Sequence, residues 1–102
     1  MTEVLQRKRD AIAAACARHG VARLEAFGSA LRTDYKPGQS DLDFLVDFEP
    51  MDPYERVDAY FGLLDELRTL LDGDVDLVMV GAIKNPYIAR SIDSTKQLLY
   101  AS

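Results

Sequence analysis

Phe27-Gly28-Ser29, a gap of eleven residues, and then Asp41-Leu42-Asp43-Phe44-Leu45-Val46 decide how this chain is read. The pattern predicts a strand end, a tight Gly-Ser turn, a polar excursion and a second strand. Side chains on a strand alternate between faces, so Asp41 and Asp43 share one side. Leu42, Phe44 and Val46 then share the other, as a core face requires. Two neighbouring carboxylates repel each other unless a cation stands between them. A divalent metal answers that need, and a Gly-Ser turn offers backbone N–H groups to a phosphate. The stretch therefore predicts a metal–nucleotide site.

Upstream, residues 3–18 predict a helix. Thr2 can cap it, Val4, Leu5, Ile12, Ala15 and Cys16 form a broad apolar stripe, and Gly20 supplies the stop. Arg18 and His19 fall in the last turn, where positive charge suits the carbonyl end. His19, the single histidine, is expected to serve there as a helix-end residue. Val21–Phe27 reads as a strand, Ala30-Leu31-Arg32 as a single helical turn, and residues 34–40 as loop around Pro37-Gly38.

Downstream, Asp52-Pro53 opens a second long helix, with Asp52 as N-cap and Glu55 completing a pattern like a capping box. Tyr54, Val57, Phe61, Leu64, Leu67 and Leu71 recur at helical spacing as far as Asp72-Gly73, and the stripe is expected to be core. Residues 74–80 predict a third strand, with Val75, Leu77 and Met79 on one face and Asp76 with Val78 on the other. A carboxylate on a buried strand is uncommon without a partner. Asn85-Pro86 predicts a last helix to about Asp93, and Leu98-Leu99-Tyr100 a short edge strand. The fold class is α/β (α+β), a mixed β-sheet backed by helices on one face. The carboxylate face of such a sheet stays open, so another molecule would have to supply the opposite wall of any pocket.

Composition narrows the function classes. A chain of 102 residues fits a single domain over residues 1–102, and 48% apolar with 28% charged residues is the balance of an ordinary globular protein. No apolar run approaches the roughly 20 residues of a membrane-spanning helix, and the N-terminus lacks a signal-peptide core. One cysteine, Cys16, excludes an internal disulfide and suits a cytoplasmic, reducing setting, where it is expected as a small buried hydrophobe. The net charge of −5 argues against direct binding of long nucleic acid, which needs a basic surface. Arg7-Lys8-Arg9 is answered by Glu3 and Asp10 and reads as a solvated helix face. A free nucleotide or another protein is the expected partner.

Three aspartates, Asp41, Asp43 and Asp76, could share one site on neighbouring strands. Mg²⁺ takes oxygen ligands and keeps several waters, so a few carboxylates and substrate phosphates suffice. A pair of such ions clamps the attacking and leaving oxygens of an in-line displacement. Asp76 could also orient or deprotonate an attacking hydroxyl. Gly28 and Ser29 would receive phosphates, with Arg32 adding charge.

The pattern Gly28-Ser29-x11-Asp41-Leu42-Asp43, with Asp76 in Val75-Asp76-Leu77-Val78, resembles the DNA polymerase β-like nucleotidyltransferase superfamily. Over Val21 to Tyr100 the chain is most similar to minimal nucleotidyltransferase (MNT) domains, the antitoxins of HEPN/MNT toxin–antitoxin pairs. The resemblance implies the minimal nucleotidyltransferase sheet, ATP and Mg²⁺ as substrate and cofactor, and transfer of AMP to a hydroxyl. In that family the acceptor is a tyrosine of a partner HEPN ribonuclease, which the modification silences; a hetero-oligomer follows. Carried over by position, Asp41, Asp43 and Asp76 are the catalytic metal ligands, with Asp76 also the base, and Gly28 and Ser29 bind the nucleotide phosphates. A separate helical substrate domain, present in larger relatives, is missing. Two alternatives stand beside enzymatic silencing: an antitoxin acting by contact alone, and the catalytic subunit of a small-molecule nucleotidyltransferase completed by a helical partner.

Overall fold

The computed structural model describes residues 3–27, 42–80 and 97–102. The expected turn at 30–32, loop at 34–40 and helix at 85–93 lie outside the described residues, as do Thr2 and the Val4 side chain. In chain order the elements are α1 (Glu3–Arg7), α2 (Arg9–Arg18), β1 (Val21–Phe27), β2 (Leu42–Phe48), α3 (Pro53–Leu71), β3 (Val75–Met79) and β4 (Gln97–Ala101). The strands form one mixed sheet in the order β3-β2-β1-β4. β1 pairs antiparallel with both β2 and β4, while β2 and β3 run parallel and are joined through α3.

The first helix departs from expectation: it is two pieces, because Lys8 leaves helical geometry at φ −98°, ψ 6°. Both pieces still reach the core, α1 through Leu5 and α2 through Ile12, Ala15 and Cys16. Gly20 ends the run at φ +69°, a left-handed conformation that costs other residues a Cβ clash. A Cβ there would also come within 3.0 Å of Met51 Cε. The Gly20 carbonyl accepts from Glu49 N–H at 2.9 Å, which ties the end of α2 to the end of β2.

α3 starts as its sequence dictates. The Asp52 carboxylate accepts from Tyr54 N–H at 2.8 Å and Pro53 takes the first turn. At the other end Asp72, rather than Gly73, adopts the left-handed conformation at φ 50°. The expected stripe divides halfway along the helix. Leu63, Leu64, Leu67 and Leu71 are buried, but Tyr54, Val57 and Phe61 are 85%, 54% and 61% exposed. The helix is 19 residues long and meets a β3 of only 5, so its first turns overhang the sheet.

Leu24, Ala26, Leu42, Phe44, Val46, Val75, Leu77 and Leu99 meet α1, α2 and α3 in one core. All described helices therefore lie on one face of the sheet. The opposite face is less open than expected: Glu25 and Leu45, which are register partners, are only 5% and 6% exposed. Among the described residues, no helix is long and apolar enough to cross a membrane.

Candidate functional site

Asp43 and Asp76 are brought together by the parallel pairing of β2 with β3, in which they are direct Cα partners. Strand neighbours lie about 4.8 Å apart, so the two carboxylates start from adjacent positions on one sheet face. The flanking residues fix that orientation. Leu42 and Phe44 on β2, and Val75 and Leu77 on β3, are buried against the helices. Asp43 and Asp76 must then point away from them. The pairing is anchored by Leu42 N–H donating to the Asp74 carbonyl at 3.1 Å and Val80 N–H donating to the Val46 carbonyl at 2.9 Å.

Asp76 is exposed and Asp43 half-buried. The expectation that Asp76 sits on a buried strand is thus corrected: β3 is the outer strand among those described, and its second face reaches solvent at this position. Across β2 from Asp76, Asp43 is paired with Phe27, the residue immediately before Gly28. One register line therefore runs Phe27–Asp43–Asp76 across three strands, joining the two halves of the sequence motif. Gly28, Ser29, Arg32 and Asp41 lie outside the described residues. Two carboxylates on adjacent strands are the oxygen donors that a hard divalent cation takes. No group of three or more metal-ligating side chains occurs among the described residues.

Glu25 is a carboxylate on the same face that the motif did not single out. It is buried and lies 3.5 Å from Arg23 Nε, two residues back on β1. Its alternation with Leu24 and Ala26 was the sequence signal for its orientation, but burial on this face was not readable from it. His19 behaves as a helix-end residue. Its Nε2–H donates to Glu66 Oε2 at 2.8 Å, and Arg18 donates to Glu66 Oε1 at 2.8 Å, tying α2 to α3 away from Asp43 and Asp76.

Comparison with known proteins supplies the family. The nucleotidyltransferase domain family matches residues 8–99. A Methanocaldococcus jannaschii protein bearing the name protein adenylyltransferase is 41% identical over 83 residues, which is 81% of this chain and 79% of that protein. A second from the same organism, similarly named, is 31% identical over the same shares of each chain. Among solved structures, a minimal nucleotidyltransferase superposes with TM-score 0.76 at 32% identity, covering 93% of this chain and 92% of the other. The Shewanella oneidensis MNT antitoxin, solved in complex with its tri-AMPylated HEPN toxin, shares the fold. Its TM-score is 0.62 at 21% identity, over 95% of this chain and 72% of that one. This chain belongs to the nucleotidyltransferase domain family, and its mixed sheet with adjacent strand carboxylates is the scaffold of a nucleotidyl-transferring enzyme.

Proposed function

We propose that this protein transfers AMP from ATP to a tyrosine of a partner HEPN toxin in a Mg²⁺-dependent reaction, and that it acts as the antitoxin of that pair. The observation that carries the reading is the direct pairing of Asp43 with Asp76 on parallel strands in a nucleotidyltransferase domain. Support also comes from the relatives named protein adenylyltransferase and from the solved MNT antitoxin with its AMPylated toxin.

In the reaction, the tyrosine oxygen attacks the α-phosphorus of ATP. The bond from that phosphorus to the bridging oxygen breaks, and pyrophosphate leaves. Asp76, the exposed carboxylate, accepts the tyrosine proton or orients the hydroxyl. Asp43, whose backbone is paired with β1 on one side and β3 on the other, stands on the same sheet face as its register partner Asp76. Asp41, Asp43 and Asp76 would hold Mg²⁺, which when bound offsets the charge of the phosphates. Gly28 and Ser29, following the Phe27 that pairs with Asp43, receive the phosphates, and Arg32 adds positive charge. The HEPN partner completes the acceptor side, making the working enzyme a hetero-oligomer.

Incubation with α-labelled ATP, Mg²⁺ and the proposed HEPN partner tests the reading. Label is expected on the partner and should fall to background with Asp43→Asn or Asp76→Asn. An unlabelled partner, or label that survives both substitutions, would overturn it. If a variant carrying both Asp43→Asn and Asp76→Asn still rescued cells from the toxin, neutralisation would rest on contact alone.

A further inference from the structure

The overhanging half of α3 carries an apolar surface that no described element covers. Tyr54, Val57 and Phe61 stand at i, i+3 and i+7, a single helical stripe, and Val80 beyond the end of β3 is 54% exposed. Between helix and strand end lies a groove of about 400 Å³, lined by Pro53, Arg56, Val57, Tyr60, Phe61 and Met79. Contiguous exposed apolar side chains of this kind mark interaction sites. The groove is poorly equipped for a polar small molecule. The Tyr60 hydroxyl is committed to the Leu77 carbonyl at 2.6 Å, which leaves Arg56 as the polar side chain of the lining.

Charge selects the occupant. Asp52, Glu55 and Asp58 are exposed beside the stripe, with Arg56 as the single basic side chain among residues 52–61, and the whole chain carries −5. A second copy would set carboxylates against carboxylates, an arrangement that disfavours association. An apolar helix flanked by Lys or Arg gains on both counts, since such helices seat i, i+3 and i+4 anchors in a groove. We infer that this face docks an apolar, basic-flanked helix of the partner HEPN protein, an inference that rests on the function proposed above. The groove belongs to the helix-covered side of β3 at Met79, whereas Asp76 lies on the opposite side. Docking here leaves Asp43 and Asp76 uncovered for the acceptor tyrosine.

Calorimetric titration of the full chain with the proposed HEPN partner provides the test. Val57→Asp and Phe61→Asp alter exposed side chains; retained circular dichroism checks their fold, and Tyr54→Asp, at the most exposed position, is the reserve variant. Each is expected to weaken binding by roughly 30-fold or more, as for a central interface residue. Glu55→Lys with Asp58→Lys should weaken it further at low salt than at high salt. Wild-type affinity in Val57→Asp and Phe61→Asp would overturn the docking site. So would a wild-type dimer that Phe61→Asp dissociates without changing toxin affinity. The two proposals separate cleanly. Lost binding in Phe61→Asp with no AMP transfer by wild type upholds docking alone, while transfer with unchanged binding upholds the enzyme alone.

Discussion

Cys16 and Glu66 show how single groups are set by their surroundings. Burial among α2 and the sheet, with Glu66 adding negative charge, pushes the Cys16 thiol up to about 12. A thiolate, not a thiol, reacts with disulfide reagents. Native Cys16, fully buried, should therefore label more slowly than the unfolded chain near neutral pH. A comparison of labelling with and without denaturant checks this, and equal rates would show that the thiol is accessible. Glu66 is shifted the other way. Desolvation acts to raise its pKa, but hydrogen bonds from Arg18 and His19 outweigh it and hold the carboxyl below its ordinary value. A depressed carboxyl stabilises the fold above its unfolded pKa and loses that contribution as pH falls through the folded value. Denaturant melts should accordingly show an acid-side loss of stability that Glu66→Gln flattens, by about 1 kcal/mol or less for so exposed a pair. An unchanged acid limb in that variant would remove Glu66 from the account.

α3 shows where sequence periodicity holds and where it fails. Its start is local chemistry, Asp52 capping Tyr54 N–H before Pro53, so Asp52→Ala is expected to cost about 0.5–2 kcal/mol in urea unfolding. A variant as stable as wild type would mean that water replaces the cap without loss. Its stripe is a different matter. Spacing reports which residues share a face but not how far the neighbouring sheet extends beneath them. Leu64, Leu67 and Leu71 find the sheet, while Tyr54, Val57 and Phe61 do not. The same blindness applies to α1 and α2, whose break at Lys8 leaves no signal in the Arg7-Lys8-Arg9 run. Gly62 is legible only in three dimensions: a Cβ there would lie 2.6 Å from His19 Cε1, so its smallness makes room for the His19–Glu66 bond.

For the whole molecule, what the sequence by itself determined was local and periodic. Strands at Val21–Phe27 and Leu42–Phe48, the cap at Asp52, the stop at Gly20 and the edge strand at the C-terminus all follow from alternation or turn chemistry within a few residues. The outward direction of Asp43 and Asp76 was likewise legible, because each alternates with apolar neighbours. Only the tertiary structure decided that these two aspartates are direct partners, since a parallel register between strands separated by α3 is set by packing across the core. Packing also buried Glu25 and Leu45 on the face expected to be open, and left the first turns of α3 bare. Burial is a property of what lies opposite a side chain, and no pattern along one strand or helix records that. The Gly28-Ser29…Asp41-Leu42-Asp43 motif could be read for its chemistry, but the line Phe27–Asp43–Asp76 exists only because three strands pair in this order.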